Sequence, residues 1–255
     1  MADIHFFGGE KGGVGKSFVC RAAIQYLLDR EEVFAVFDTD RSNPDVRRIY
    51  QETGCRVAVF SEGEKYEDKA NSIYNTALEK RVLVNLPAQV FIPVKEWFER
   101  NELLSIASDD GVKFFYWFVC DGGYDSLKLL GKSLEFFKSD VSHILVKNLG
   151  KCDDWEPLEN DDYLQSLMAQ YEVKVIDFPK FIGNADRNAI DAASLTFGEA
   201  REYKQFGSIG RQRVKRFLRE AKEVFESAGV FDLKASAESD AMREPEPELK
   251  RIARG

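Results

Sequence analysis

Short apolar runs recur along the chain, and most are separated by segments long enough for one helix. Each run is rich in valine, isoleucine and phenylalanine and is bounded by polar residues or glycine. Runs that are apolar on both faces are typical of parallel strands covered by helices on both sides. The runs are residues 4–8, 33–38, 56–60, 81–85, 112–119, 143–148 and 173–178. We therefore expect a doubly wound, mainly parallel α/β sheet with right-handed crossovers and helices on both faces.

The intervening segments carry helical patterns. Apolar spacing and capping residues predict helices over 16–29, 45–53, 95–107, 124–138 and 161–171. From 186 to 228 the pattern is helical, with breaks expected near Gly207 and Gly210 and with Ser208 as a candidate cap for a long last helix.

The chain is expected to form one domain. No Pro-rich or Gly/Ser-rich hinge interrupts the first nine-tenths of its 255 residues. We predict a single domain over residues 1–231 and a disordered charged tail over 232–255, where large apolar residues are few.

Composition excludes several classes of protein. No apolar stretch approaches the roughly 20 residues that span a bilayer, and the first residues lack the basic region of a signal peptide. The four cysteines lie far apart, which favours reduced core thiols, and neither His5 nor His143 has a second metal ligand nearby. We expect a cytoplasmic protein.

The segment GGEKGGVGKS, residues 8–17 and hereafter the glycine loop, joins the first predicted strand to the first predicted helix. Its glycines allow backbone N–H groups to surround a phosphate, Lys16 can reach the β- and γ-phosphates, and the Ser17 hydroxyl can ligate Mg²⁺. The ordinary pattern G-x-x-x-x-G-K-[ST] fails at its first position, which is Glu10, and Lys11 is an added cation. The loop therefore predicts a nucleotide site of unusual type.

The motif KGGVGKS resembles the deviant Walker A loop of the ParA/MinD family of P-loop ATPases, whose signature lysine corresponds to Lys11. The resemblance implies an ATP-bound homodimer in which each Lys11 reaches the phosphates held by the partner subunit. It assigns catalytic roles to Lys11 and Lys16. The implied nucleotide-binding residues of this loop are Gly12, Gly13, Val14, Gly15, Lys16, Ser17 and Phe18.

The segment VFDTDRSNPDV is similar to the switch I region of that family. The resemblance implies that Asp40 positions the attacking water and that Asp38 supports the shell of a Mg²⁺ ion held by Ser17. Because side chains alternate along a strand, Asp38 and Asp40 are expected to point to the same side. After the strand RVLV the family usually has an aspartate, but this chain has Asn85, so weaker Mg²⁺ binding and slower hydrolysis are expected.

Two later segments match the family's adenine site more loosely. Asn148 follows a late strand at the position implied to read the adenine edge, and Pro179 and Phe181 match the loop that closes over the base. The segments NLPAQVFIPVKEWFERNELL and GSIGRQRVKRFL look most similar to the accessory ATPases of conjugative transfer and mobilisation systems.

The resemblance implies a slow ATPase, stimulated by a partner, that binds ATP or ADP with Mg²⁺ and positions a large cargo through an adaptor protein. The formal charge is −8, yet residues 201–222 are strongly basic. Arg211, Lys215, Arg219 and Lys222 fall on one helical face and are candidates for non-specific DNA binding. The expected setting is the bacterial cytoplasm, with the nucleoid or a plasmid as its context and with no membrane partner.

Two alternatives stay open at this point. A nucleotide-binding adaptor that hardly hydrolyses ATP, serving as a scaffold in a transfer complex, is favoured by Asn85 and opposed by Lys11, Lys16 and Asp40. A metabolic enzyme on the same loop, such as an ATP-dependent ligase or a nitrogenase-type reductase, is less favoured, because Cys120 lacks a second cysteine at similar depth.

Overall fold

The computed structural model describes residues 2–60 and 69–231. Within these residues seven strands form a single sheet in the order β3-β2-β4-β1-β5-β6-β7, and every neighbouring pair is parallel. The strands are β1 (Asp3–Gly8), β2 (Phe34–Asp38), β3 (Arg56–Val57), β4 (Arg81–Asn85), β5 (Lys113–Cys120), β6 (Ser142–Asn148) and β7 (Lys174–Phe178). The predicted doubly wound parallel sheet is confirmed.

Helices cover both faces of the sheet. They are α1 (Lys16–Leu28), α2 (Asp45–Ile49), α3 (Asn71–Ala77), α4 (Phe91–Arg100), α5 (Leu103–Asp110), α6 (Tyr124–Phe137), α7 (Glu156–Glu159), α8 (Asp162–Gln170), α9 (Asn184–Ala192), α10 (Phe197–Ala200) and α11 (Gly207–Ala228). Helices α3 to α8 pack on one face and α1, α2 and α9 to α11 on the other. None of the helices in the described ranges is both long and apolar enough to cross a bilayer.

The two faces explain why the strands lack polar alternation. Phe6 lies in the core beneath α4 and α6, whereas the next residue, Phe7, lies in the core beneath α1 and α11, and both are fully buried. Burial of a large apolar side chain stabilises the fold by about 1.5–3 kcal/mol. A strand that is covered on both sides therefore needs apolar residues at consecutive positions.

Several predicted boundaries were wrong. The helix predicted over 95–107 is two helices, α4 and α5, because Glu102 adopts a left-handed conformation with φ of 47°. The helix predicted over 45–53 ends at Ile49 and continues as a 3₁₀ turn, and the strand predicted over 56–60 forms only two sheet residues, where Val57 is exposed at the sheet edge.

The predicted break at Gly210 was also wrong. Gly210 is buried inside α11, where an added Cβ would lie 2.8 Å from the Cβ of Phe206, so the glycine serves close packing rather than a break. Helix α11 begins at Gly207, and Ser208 makes no capping hydrogen bond. The predicted tail over 232–255 lies outside the described residues.

The amino end of β1 holds a buried polar cluster. Arg81 donates from Nη2 to Asp3 at 2.8 Å and from Nε to Asp3 at 3.0 Å. His5 accepts from Trp117 Nε1 at 3.0 Å, and its ring stacks on Phe231 with centroids 4.6 Å apart. No group of three His, Cys, Asp or Glu side chains in the described ranges is arranged to hold a metal ion. These polar groups therefore pair mainly with one another, as core residues.

Candidate nucleotide-binding site

A cavity of about 410 Å³ opens at the carboxyl ends of the strands. It lies beside β1, from which the chain crosses to β2 on one side and later to β5 on the other, and such switch points are where open α/β sheets bind ligands. The predicted residues in the cavity wall are Gly12, Gly13, Gly15, Lys16, Ser17, Phe18, Asp40, Asn148, Pro179 and Phe181. The fold thus brings together loop residues that are far apart in sequence.

The glycine loop has a backbone that requires its glycines. Gly13 and Gly15 adopt φ of 78° and 103°, and a Cβ on Gly15 would lie 2.4 Å from Asn148 Nδ2. Val14, which the resemblance places among the nucleotide-binding residues, has a buried side chain beneath the loop. Helix α1 begins directly after Gly15, so its first N–H groups face the loop and favour an anion.

Asn148 is engaged with the glycine loop in this structure. Its Nδ2 donates to Val14 O at 2.7 Å, and its Oδ1 accepts from Gly150 N at 3.0 Å. The side chain therefore holds the loop against the end of β6. Its role in reading adenine stays a prediction and would require these hydrogen bonds to be shared or exchanged.

The two lysines of the loop point to different places. Lys16 is buried, its Nζ donates to Lys11 O at 3.0 Å, and burial lowers its pKa. Lys11 is partly exposed, and its Nζ lies 2.8 Å from Asp121 Oδ2, which raises the pKa of Lys11. Lys16 thus belongs to the interior of the loop, whereas Lys11 faces outward.

Asp121 is a site residue that the sequence analysis missed. It directly follows β5, which neighbours β1, and its Oδ1 accepts from Ser126 Oγ at 2.6 Å and from Gly123 N at 3.2 Å. The sequence pattern that could have identified Asp121 is an acidic residue at the carboxyl end of a buried strand, as at Asp38. The carboxylate is held ready to pair with Lys11 inside a single chain.

Asp38 and Asp40 have different surroundings, and the predicted alternation does not extend to Asp40, which lies beyond the end of β2. Strand β2 ends at Asp38, which is buried and accepts from Arg47 N at 2.9 Å. Burial raises the pKa of Asp38, and its hydrogen bonds oppose that shift. Asp40 lies beyond the strand on the cavity wall, where its Oδ1 accepts from Ser42 N and Asn43 N, each at 3.0 Å. Only Asp40 is placed to meet a water in the cavity.

Asn85 contacts Asp38 at the carboxyl end of the neighbouring strand β4. Its Nδ2 donates to Asp38 Oδ1 at 3.0 Å, and its Oδ1 is buried without a hydrogen-bond partner. An unpartnered buried oxygen is suited to accept from a metal-bound water. Mg²⁺ is usually held by one or two protein ligands together with substrate phosphates. The Ser17 hydroxyl, on the cavity wall, would be such a ligand, and Asp38 and Asn85 would accept hydrogen bonds from waters of the ion.

Arg21 is a second missed residue of the cavity wall. It is 3% exposed, and its Nη1 lies 2.6 Å from Asp191 Oδ1, while its guanidinium lies 5.0 Å from the ring centre of Phe197. The signal was a charged residue within an otherwise apolar face of α1. Its ion pair joins α1 to α9 beside the cavity.

The basic face of α11 is more nearly neutral than the sequence indicated. Lys215 pairs with Glu202 at 2.9 Å and Lys222 with Glu226 at 3.8 Å. Within the described part of the chain, Arg211 and Arg219 have no carboxylate partner. The structure therefore leaves two of the four candidate DNA-binding cations without an internal ion pair.

Comparison with known proteins gives a consistent group of relatives, although no family model matches the chain. Protein MobD of Acidithiobacillus ferrooxidans is 28% identical over 225 residues, covering 88% of this chain and 96% of MobD. Protein TraL of Escherichia coli is 22% identical over 249 residues, covering 91% of this chain and all of TraL. These matches confirm the predicted resemblance to mobilisation and transfer proteins.

Similar solved structures include the cell division ATPase MinD of Pyrococcus furiosus, with 16% identity, a TM-score of 0.48 and coverage of 88% of this chain and 99% of MinD. An ATP complex of Cyanothece McdA has 12% identity, a TM-score of 0.46 and coverage of 92% and 99%. An ADP complex of a nucleotide-binding protein from Archaeoglobus fulgidus has 15% identity, a TM-score of 0.46 and coverage of 76% and 86%.

Proposed function

We propose that the chain is a ParA/MinD-like ATPase that closes as a homodimer around two ATP molecules. Slow, partner-stimulated hydrolysis would then reopen the dimer and so position a large cargo, either DNA such as a plasmid or a protein assembly. The observation that carries this proposal is that the two lysines of one glycine loop have different surroundings: buried Lys16 donates to the loop backbone, and partly exposed Lys11 pairs with Asp121. One cation serves the phosphates of its own chain, and the other is available to a second copy.

Nucleotide binding uses the interior of the loop. Backbone N–H groups of the glycine loop and the start of α1 surround the β- and γ-phosphates, and Lys16 Nζ exchanges its bond to Lys11 O for a phosphate oxygen. A bound Mg²⁺ would offset phosphate charge, with the Ser17 hydroxyl as its protein ligand. Pro179 and Phe181 line the part of the cavity proposed for the base.

Hydrolysis depends on Asp40. Its Oδ1 is fixed by the backbone of Ser42 and Asn43, which orients the carboxylate to hold a water in line with the γ-phosphate. Lys11 from the second copy would stabilise the negative charge that develops on the transferring group. The neutral Asn85 would keep turnover slow, because it supplies no negative charge to the metal shell.

Dimer closure requires Lys11 to leave Asp121. The Lys11 side chain is 41% exposed, and water screens an ion pair this accessible, so the pair adds little to stability. Exchange of that carboxylate for two or three phosphate charges is therefore favourable. ATP, which carries one more phosphate charge than ADP, favours closure more strongly.

The proposed cargo follows from the similar proteins and from the charge of α11. Similarity to MobD and TraL supports a role in mobilisation or transfer of DNA in the bacterial cytoplasm, with an adaptor or stimulating protein and with association with the nucleoid or a plasmid. The exposed cations of α11 support contact with DNA phosphates without sequence preference.

Steady-state ATP hydrolysis tests the enzymatic part. We expect a low rate that increases with DNA or with the product of a neighbouring gene, and that falls to background in Asp40→Ala while ATP binding persists. A nucleotide-binding scaffold is the second candidate function. It is favoured by the hydrogen bond that the neutral Asn85 donates to Asp38. Background rates under every condition, with intact ATP binding, would support the scaffold instead.

DNA binding needs its own test. Charge reversal of Arg219, which has no carboxylate partner among residues 2–60 and 69–231, should weaken binding to a random duplex and reduce its salt dependence by about one phosphate contact. Arg213→Glu is the matched control, because Arg213 already pairs with Asp186 at 2.8 Å. A shift assay insensitive to salt and to Arg219→Glu would exclude this face as the DNA surface.

A further inference from the structure

Glu10 occupies the loop position where the ordinary phosphate-loop pattern has its first glycine. Although it is a charged residue, its side chain is turned inward, and only 8% of the residue is exposed. Its Oε2 accepts from Phe91 N at 3.0 Å, and its backbone carbonyl accepts from Gln89 N at 3.0 Å. The glycine loop is thus tied to the start of α4, a helix more than eighty residues away in sequence.

The bond from Phe91 satisfies a helix terminus that has no local cap. The residue before α4 is Val90, whose side chain cannot accept a hydrogen bond, and Gln89 adopts a left-handed φ of 57°. The first N–H groups of a helix need acceptors from outside the helix, and a carboxylate there is also favoured by the helix dipole. Glu10 supplies that acceptor from the glycine loop.

The position of Glu10 makes this bond sensitive to the phosphate site. Glu10 Oε1 is buried and has no hydrogen-bond partner in the part of the chain that the structure describes. Burial raises the pKa of Glu10, and its hydrogen bond from Phe91 and the charge of Lys16 oppose the shift. Lys16 is the residue that must turn toward an incoming γ-phosphate. A phosphate that binds Lys16 would offset the favourable charge that Lys16 exerts on Glu10.

We propose that Glu10 is a positioning residue that couples occupation of the glycine loop by a γ-phosphate to the first turn of α4. In the empty site Glu10 holds this turn, and in the ATP state the bond to Phe91 weakens and the turn is released. The coupling rests on the proposed ATP-binding function.

The test is amide hydrogen exchange resolved by residue. An ATP analogue with a non-hydrolysable β–γ bridge and Mg²⁺ should speed exchange at Phe91 several-fold relative to ADP and Mg²⁺. The Gln89 amide is an internal control, because its acceptor is the backbone carbonyl of Glu10. Binding of each nucleotide is measured in the same samples by a fluorescent analogue in competition.

Two variants separate charge from structure. Glu10→Gln keeps an oxygen acceptor but no charge, so Phe91 should stay protected and its response to the ATP analogue should disappear. Glu10→Ala removes the acceptor, so exchange at Phe91 should rise by about fivefold to tenfold without nucleotide, as expected for loss of a helix cap.

The outcomes distinguish the two proposals. If wild-type protein binds the ATP analogue and exchange at Phe91 does not change, the coupling is wrong and the proposed function stands. The coupling is equally wrong if Glu10→Gln responds as the wild type does. If the wild type binds neither nucleotide, the proposed function and the coupling both fail.

Discussion

The charged residues at the two ends of strand β1 differ in their surroundings. At the amino end, Asp3 and His5 are buried in a cluster with Arg81 and Trp117, where hydrogen bonds and ring contacts occupy most of their polar atoms. At the carboxyl end, the glycine loop presents Lys16 to a cavity. One strand thus ends in a structural cluster on one side and in a candidate site on the other.

The difference shows how burial alone fails to identify function. Asp3 and Asn85 are both buried polar residues, but Asp3 has two donors from Arg81 whereas Asn85 Oδ1 has no partner. Among the described residues, His5 Nε2 also lacks a hydrogen-bond partner, but it lies 3.6 Å from Asp3 Oδ2. The buried atoms without partners at Glu10, Arg21 and Asn85 lie near the candidate site, where a ligand could supply the missing contact. Changes at the amino end should therefore alter stability and leave nucleotide affinity intact, and changes at the carboxyl end should do the reverse.

The largest effect on stability is expected for Arg81→Met. This change leaves the Asp3 carboxylate buried without its main partner, which costs about 3–5 kcal/mol in the free energy of unfolding. Denaturant unfolding measures the loss, and nucleotide affinity measured on the folded protein should be unchanged. The double variant Asp3→Asn with Arg81→Met should recover part of the loss. A tenfold change in ATP affinity would break the contrast between the two ends.

Lys16→Ala is the matching change at the carboxyl end. Removal of the cation that serves the phosphates should weaken ATP binding about 100-fold or more, equivalent to about 3 kcal/mol. Stability should change little or increase slightly, because burial of this lysine already lowers its pKa. Titration calorimetry with ATP and Mg²⁺ measures the affinity, and denaturant unfolding supplies the control. Equal ATP affinity in the variant and the wild type would remove Lys16 from the site.

A buried histidine outside both ends of β1 predicts a dependence of stability on pH. His143, near the start of β6, is buried against Ser133, and burial lowers its pKa from 6.5 to about 4. Between about pH 6.5 and 4, His143 is protonated in the unfolded chain but neutral in the folded chain. The free energy of unfolding therefore decreases as the pH falls through this range. The full loss from this group is about 3 kcal/mol. The variant His143→Gln should show a correspondingly flatter dependence, and an identical slope would assign the loss to other groups.

The smallest of these effects is expected at Asn85. The change Asn85→Asp removes the hydrogen bond to Asp38 and places a second carboxylate next to it. A bound cation would then offset the repulsion between the two carboxylates. We expect the Mg²⁺ concentration required for ATP hydrolysis to fall about tenfold. Asn85→Ala, which removes the donation without adding charge, is the control. If both variants need the same Mg²⁺ concentration, the missing acid does not limit metal binding.

The sequence predicted the sheet well for a physical reason. Burial on both faces forces consecutive apolar residues into every central strand, and such runs are visible without a structure. Only the edge strand β3 was overestimated, because its two residues are exposed and pairing there ends early. The glycine loop was visible for a similar reason, since its backbone requires glycine at fixed positions.

The partners of the site residues could not be predicted in the same way. Asp121 meets Lys11 because β5 lies beside β1, and Glu10 meets Phe91 because β4 lies on the other side of β1. Strand order is a property of the whole fold, and no local pattern encodes it. The different surroundings of Asp38 and Asp40 could not be predicted, because β2 ends at Asp38 and strand alternation no longer applies at Asp40.

Sedimentation velocity of Asp40→Ala protein tests the central claim most directly, because this variant retains ATP without turnover. With ATP and Mg²⁺ we predict a dimer, and with ADP a monomer. Adding Lys11→Ala should return the ATP sample to monomer without loss of ATP binding, whereas adding Asp121→Asn, which frees Lys11, should preserve the dimer. A monomer in Asp40→Ala saturated with ATP, or a dimer that forms equally well without Lys11, would contradict a site completed by a second copy of the chain.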